Sequence, residues 1–90
     1  MTNLKDIQVI AYKVIDDLGV KPQQVNVLPH NENSVKIYFN RKLALLLVNY
    51  GYVRYALFDP NKGCLESDAF NLYELFKKYF IKEIENEEYF

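Results

Sequence analysis

The sequence has few of the residues that usually mark a catalytic or metal site. Its 90 residues include one histidine, His30, one cysteine, Cys64, and no tryptophan. A single cysteine excludes an internal disulfide, and a zinc site needs three or four ligands. The three glycines stand apart, so none belongs to a glycine-rich phosphate loop. We therefore expect no metal, no cofactor and no catalytic activity.

Long apolar runs and a strong net charge are also missing. No apolar stretch approaches the ~20 residues that cross a bilayer, and the start MTNLKDIQ lacks the pattern of a signal peptide. The formal net charge is −1, whereas a dedicated DNA-binding protein usually has a clear basic excess. The net charge thus disfavours a dedicated DNA-binding protein. The absence of a membrane span and of a signal-peptide pattern, together with the single cysteine, predicts a cytoplasmic protein that has no membrane partner.

The chain is, however, rich in core-forming residues, because 50% are hydrophobic and 16% are aromatic. This composition predicts one folded domain over residues 1–90. Apolar residues recur at helical spacing near both ends and alternate with polar residues between them. The pattern predicts a helix over residues 4–18, strands over 24–28, 34–40, 43–49 and 52–58, and a second helix over 69–85.

Turn and capping residues predict where these elements end. Gly19 suits the position just after the first helix, and Pro29 is expected to end the first strand. Residues 64–66 are expected to form only a short edge segment. Ser67 or Asp68 is expected to cap the second helix.

The predicted order is α-β-β-β-β-α. Short connections between successive strands make the sheet an antiparallel four-stranded meander. Each helix has one apolar stripe, so a single face of the sheet can bury both helices. The predicted fold is therefore a two-layer α+β domain with both helices on one face.

A candidate binding surface lies on the opposite face of this sheet. If Val35, Ile37, Phe39, Val53, Tyr55 and Leu57 face the helices, strand alternation leaves another set outside. The predicted site consists of Lys36, Tyr38, Tyr52 and Arg54, with the turn residues Arg41 and Lys42 at its end.

Three interpretations of this surface remain open at the level of sequence. Tyrosines among basic groups can stack on bases and hold phosphates. They can also form a protein interface, where tyrosine and arginine are enriched. The simplest alternative is a half-exposed sheet face whose tyrosines are only good strand formers. The stretch 43–49 is apolar on both faces, which favours a protein partner or a homodimer, with weak nucleic-acid binding as a further possibility.

Several stretches resemble a known family. They are VIDDLGVKPQQVNVL at residues 14–28, the Arg41-Lys42 turn, YALFDPNKG at 55–63 and SDAFNLYEL at 67–75. This layout resembles the small C-terminal accessory domain of bacterial type I restriction endonuclease-like proteins. The sequence does not contain that family's nuclease domain, so the resemblance implies no nuclease activity. It implies an accessory module in a system that acts on nucleic acid.

These observations give three functional hypotheses. The first is a non-catalytic binding module that serves as an accessory or nucleic-acid-associated factor of a bacterial or mobile-element defence system. The alternative is a phage- or mobile-element-encoded inhibitor that docks on a host protein. The third is a small enzyme that uses Cys64 and His30, which requires the two side chains to lie within hydrogen-bond reach.

Overall fold

The computed structural model of the chain describes residues 4–21, 25–49, 54–69 and 71–87. The described part contains two helices and one antiparallel sheet with the strand order β1-β2-β3-β4-β5. The α+β class and the antiparallel meander are confirmed, but the sheet has five strands where four were predicted. The elements are α1 (Leu4–Asp17), β1 (Val25–Asn31), β2 (Ser34–Phe39), β3 (Lys42–Asn49), β4 (Arg54–Asp59), β5 (Gly63–Ala69) and α2 (Leu72–Glu87).

The fifth strand corrects the prediction of a short edge segment. β5 pairs with β4 along its length, from Gly63 opposite Asp59 to Ala69 opposite Tyr55, with two irregularities in register. Its sequence, GCLESDA, has no clean alternation of apolar and polar residues. The backbone pairing with β4 therefore makes this segment a strand, and its own composition does not.

Because β5 is longer than the predicted edge segment, α2 starts later than predicted. Ser67 and Asp68 lie inside β5, so neither is the predicted helix cap. Asn71 takes that role: its side-chain oxygen accepts a hydrogen bond from the backbone N–H of Glu74 at 3.2 Å. An asparagine at this position satisfies one of the free N–H groups of the first helical turn. α2 therefore begins at Leu72, three residues later than predicted.

The first strand does not end at Pro29 as predicted. β1 is an edge strand, where a proline is tolerated if its missing N–H would point away from the sheet. Two side chains of α1 form hydrogen bonds with the backbone of β1 along this outer edge. Gln8 donates to the carbonyl of Val27 at 2.9 Å, and Tyr12 donates to the carbonyl of Val25 at 3.4 Å. Helix side chains and a proline thus protect this edge from pairing with another strand.

α1 ends as the sequence predicts. Gly19 has a φ of +73°, a left-handed conformation that residues with a Cβ adopt at a cost. The N–H of Val20 bonds to the carbonyl of Ile15 at 3.1 Å, and the N–H of Gly19 bonds to that of Asp16 at 3.0 Å. This pair of hydrogen bonds is the Schellman motif, which closes a helix and redirects the chain.

A side-chain hydrogen bond joins the two helices near the end of α1. The hydroxyl of Tyr73 in α2 donates to the carboxylate of Asp17. This bond, together with partial desolvation and the negative charge of Asp17, raises the pKa of the Tyr73 hydroxyl.

Neither described helix is long and apolar enough to cross a membrane.

Both helices pack on the same face of the sheet. The strand residues that fill the core follow a period of two, which places them on one face. The ring of Phe80 in α2 lies 4.9 Å from that of Phe39 in β2 and 5.6 Å from that of Phe76. The buried strand residues are Val25, Val27, Val35, Ile37, Phe39, Ala44, Leu46, Tyr55 and Leu57, and the buried helix residues are Ile7, Ala11, Val14, Ile15, Leu72, Leu75, Phe76, Tyr79 and Phe80.

The predicted inward face is therefore confirmed where the structure describes it. Val35, Ile37, Phe39, Tyr55 and Leu57 are all buried against the helices. The remaining member of that predicted set, at position 53, lies outside the described residues.

Candidate functional site

One face of the sheet is covered by neither described helix, and we call it the open face. Side chains along a strand alternate between the two faces, so the strand register assigns each residue to one of them. Ser34 has the same register, opposite Leu47, but is buried. The described members of the open face that are at least partly exposed are Asn26, Leu28, Lys36, Tyr38, Leu43, Leu45, Leu47, Ala56, Phe58 and Cys64.

The register aligns five of these residues in a single row across the sheet. Leu28 lies opposite Lys36, Lys36 opposite Leu45, Leu45 opposite Phe58, and Phe58 opposite Cys64. Directly opposed residues have Cβ atoms about 4.5–5.5 Å apart, so their side chains contact one another. The row therefore runs across all five strands with Leu45 at its middle.

The centre of the open face is an apolar strip along β3. Leu43, Leu45 and Leu47 all point to this face, while Ala44 and Leu46 are buried beneath the helices. The prediction that this strand is apolar on both faces is confirmed. Leu47 is 39% exposed and Leu28 on β1 is 45% exposed. A sheet face in contact with water normally carries polar residues, and the leucines of this strip depart from that pattern.

Two of the predicted site residues lie beside this strip. Lys36 and Tyr38 are half-buried on β2, where Lys36 faces Leu45 and Tyr38 faces Leu43. Lys36 is the one charged side chain among the ten described members of the open face. The described part of the surface is therefore more apolar and less basic than the predicted site.

The turn residues Arg41 and Lys42 are not part of the open face. Lys42 lies opposite the buried Phe39, on the side of the sheet that the helices cover. Its Nζ is 3.0 Å from Oε2 of Glu83 in α2. Arg41 is exposed at the tip of the hairpin. The structure thus separates these two cations from Lys36.

The remaining predicted site residues are only partly described. The backbone of Arg54 begins β4 and pairs with Asn49 at the end of β3. Tyr52 lies outside the described residues. Of the six residues in the predicted cluster, the structure therefore describes the side chains of Lys36, Tyr38 and the hairpin pair.

The β2–β3 hairpin has a backbone conformation that its sequence does not favour. The two residues between the paired ends, Asn40 and Arg41, have φ values of +50° and +69°. Positive φ at both central residues is the requirement of a type I′ turn, for which Asn-Gly is the preferred sequence. Arginine at the second position is therefore strained, by about 1–2 kcal/mol.

Arg41→Gly is expected to stabilise the protein. Glycine removes the strain but adds about 0.5–1 kcal/mol of unfolded-chain entropy, which leaves a net gain of about 0.5 kcal/mol. The melting temperature should rise by about 2–4 °C. Arg41→Ala is the matched control, because it removes the same charge and keeps the strain. A melting temperature no higher for Arg41→Gly than for Arg41→Ala would contradict the turn assignment.

The structure does not bring His30 and Cys64 together. His30 lies in β1 and Cys64 in β5, which form the two opposite edges of the sheet. Four strand spacings of about 4.8 Å separate the two strands by roughly 19 Å. That distance exceeds hydrogen-bond reach, so the pair lacks the geometry of a nucleophile and its base. The described residues also contain no group of three histidine, cysteine or acidic side chains that could hold a metal ion.

Two members of the open face were missed at the level of sequence. Phe58 was treated as the end of a strand, although the alternation in RYALFD places it on the same face as Ala56. Leu28 is the last residue of the predicted first strand and has no role in the predicted site, although it shares a face with Asn26. The alternation of side chains along a strand was the signal that could have assigned Phe58 and Leu28 to the open face. Both residues add to the apolar character of the site.

Comparison of the chain with protein-family models, with curated proteins and with solved structures finds no match. The similarity to the accessory domain of restriction endonuclease-like proteins therefore stays a prediction from the sequence.

Proposed function

We propose that the chain is a small non-catalytic binding module that docks on another protein through the open face. The observation that carries this proposal is the strip formed by Leu43, Leu45 and Leu47, extended by Leu28 and Phe58 on the neighbouring strands. Burying such a strip against a partner gains roughly 25 cal/mol for each Å² of apolar surface removed from water. Both helices are already engaged on the other face and leave this one available.

The position of Lys36 defines the chemistry of the partner. This cation lies in the central row, between Leu28 and Leu45, and would be desolvated in any complex that covers the row. A buried charge requires an opposite charge or it opposes binding. We therefore propose a protein partner with an apolar surface that presents a carboxylate to Lys36.

A second copy of the chain fits this requirement less well. None of the ten described members of the open face is acidic, so these residues of a second copy docked face to face would supply no carboxylate to Lys36. Single-stranded nucleic acid also fits less well. Lys42 lies on the helix side of the sheet, so Lys36 is the one cation that the ten described open-face residues offer to phosphates. Homodimerisation and nucleic-acid binding are therefore alternative outcomes of the experiment below.

The size of the face predicts a modest affinity. Five strands at about 4.8 Å spacing and six residues at about 3.3 Å give a flat footprint of roughly 24 by 20 Å. A standard stable interface buries about 800 Å² on each partner, so this face belongs to the lower end of the range. We expect an exchanging complex whose specificity depends on the pairing of Lys36. The setting we propose from the sequence resemblance is a defence system of bacteria or mobile elements. The alternative is inhibition of a host protein by a phage- or mobile-element-encoded chain.

Site-specific photocrosslinking in the source cells tests the proposal. A photoreactive phenylalanine analogue at position 45 or 47 should form an adduct with one protein partner. The same analogue at Val9, which is 60% exposed on α1, is the matched control and should form none. The purified partner should lose binding to the Lys36→Glu variant and regain it when its own carboxylate is changed to lysine.

Four outcomes would overturn the proposal. They are the absence of any adduct at positions 45 and 47, equal labelling at position 9, an adduct only with a second copy of the chain, and an adduct only with nucleic acid. Failure of the charge exchange with a partner that still binds the face would overturn the assignment of Lys36.

A further inference from the structure

A polar region, separate from the apolar open face, lies at the end of the sheet that carries two hairpin turns. The β2–β3 turn and the β4–β5 turn are at the same end, because Leu45 in β3 pairs with Phe58 in β4. The second half of α2 crosses this end and is held there by the ion pair between Lys42 and Glu83. A cleft of about 130 Å³ opens between α2 and the β4–β5 turn. The polar side chains that line it are Asp59, Lys62, Lys78, Tyr79, Lys82 and Glu83.

Both carboxylates of the cleft are engaged within the protein. Oδ1 of Asp59 accepts the backbone N–H groups of Asn61 at 2.7 Å and of Lys62 at 3.1 Å, which fixes the turn. Oε2 of Glu83 accepts the ammonium of Lys42 at 3.0 Å. Lys42 compensates the charge of Glu83, whereas Asp59 stays anionic. Because three lysines and these two carboxylates line the cleft, positive charge is in excess there.

Two of those lysines have no carboxylate partner within the part of the chain that the structure describes. Lys62 is exposed on the turn, and Lys82 is exposed on α2 one helical turn after Lys78. They line the same cleft from opposite walls. Two ammonium groups that line one cleft and have no ion pair with a described carboxylate attract an anion, and they donate up to three hydrogen bonds each.

The floor of the cleft supplies a third donor. Tyr79 is only 5% exposed, and its hydroxyl has no hydrogen-bond partner among the described residues. Burial, reinforced by the negative charges of Glu83 and Asp59, raises the pKa of this hydroxyl, so it stays protonated. A buried hydroxyl without a partner costs free energy, and a bound acceptor would remove that cost.

We propose that this cleft binds a phosphate-class anion through the ammonium groups of Lys62 and Lys82 and the hydroxyl of Tyr79. The ligand is inorganic phosphate or the phosphoryl group of a small molecule, since both present the same oxygens. The volume of the cleft, about 130 Å³, is equivalent to a few water molecules at about 30 Å³ each, which suits a small polyatomic anion. This site lies on the helix side of the sheet and is independent of the open face.

Titration of the isotope-labelled protein with sodium phosphate, followed by amide NMR at constant ionic strength, tests this site. The expected result is a saturable shift of the amides at residues 61–63 and 78–83, with a dissociation constant on the order of 1 mM. The double variant Lys62→Gln/Lys82→Gln should bind at least about tenfold more weakly, because it removes two charge-assisted hydrogen bonds. Tyr79→Phe, which removes only the hydroxyl, should weaken binding about three- to tenfold.

The control is Lys13→Gln/Lys21→Gln, which removes two exposed lysines outside the cleft and should leave the affinity unchanged. Phosphoserine and adenosine monophosphate distinguish the sources of the phosphoryl group. If phosphoserine, adenosine monophosphate and inorganic phosphate bind with equal affinity, the cleft recognises the phosphoryl group alone. If phosphoserine or adenosine monophosphate binds more tightly, the cleft also recognises the rest of that molecule. Shifts that do not saturate, that chloride reproduces, or that survive in the double variant would overturn the proposal.

Discussion

Phe80→Ala is expected to lower the free energy of unfolding by about 3–5 kcal/mol. Phe80 is completely buried, and its ring contacts those of Phe39, Phe76 and Tyr79 with centroid distances of 4.9, 5.6 and 5.5 Å. Removing it leaves a cavity where α2 meets the sheet and also ends three aromatic contacts. A small domain has a total stability of only about 5–15 kcal/mol, so the loss is a large share.

Thermal and urea unfolding monitored by circular dichroism measure this effect. The melting temperature should fall by more than about 12 °C, given 4–8 °C per kcal/mol for a domain of this size. Phe58→Ala is the matched control, because it removes the same side chain from the half-buried open face. We expect it to cost about 1 kcal/mol, in proportion to the smaller area buried. Equal losses in the two variants would show that the two faces of the sheet are wrongly assigned.

The parts of the fold that follow from local patterns were predictable. The alternation in β2 assigns Val35, Ile37 and Phe39 to one face, and the structure buries all three. Gly19 ends α1 in the left-handed conformation that its residue type allows. In both cases the signal lies within a few residues of the structure it specifies, since strand alternation and helix closure are local properties.

The parts that depend on a distant partner were not predictable. β5 is a strand because β4 lies beside it, and its own sequence has no strand pattern. The start of α2 was misplaced for the same reason, because the chain stays paired as far as Ala69. Pro29 remains within β1 because that strand is at the edge of the sheet, and sequence alone does not tell an edge strand from a central one.

The candidate site shows the same division. Lys36 and Tyr38 could be assigned to the open face because they alternate with buried neighbours on one strand. Lys42 could not be assigned to a face, because the side of the sheet on which it lies depends on the length of the turn before it. The prediction counted Lys42 as a turn residue, whereas the two-residue hairpin makes it the first residue of β3, opposite Phe39. A change of one residue in a turn moves a side chain to the other face of the sheet.

Arginine substitutions at neighbouring positions of β3 test this assignment most strongly. Leu46→Arg should unfold most of the protein, because Leu46 is completely buried and a charge placed there has no partner. We expect a loss of at least about 3–5 kcal/mol, the cost of an uncompensated buried charge. Leu45→Arg makes the same chemical change one residue away, on the open face, where the guanidinium can reach water.

The Leu45→Arg variant should therefore stay folded and lose its partner. Its circular dichroism spectrum should match that of the wild type, with a melting temperature within a few degrees, while affinity for the crosslinked partner should fall at least about 100-fold. Such a loss corresponds to about 2.7 kcal/mol and is typical of a hot-spot residue at the centre of an interface. Since the two variants share composition and charge, any difference between them comes from the face on which the side chain lies. Unfolding of Leu45→Arg, or a folded Leu46→Arg, would reverse the two faces and remove the basis for the proposed interface.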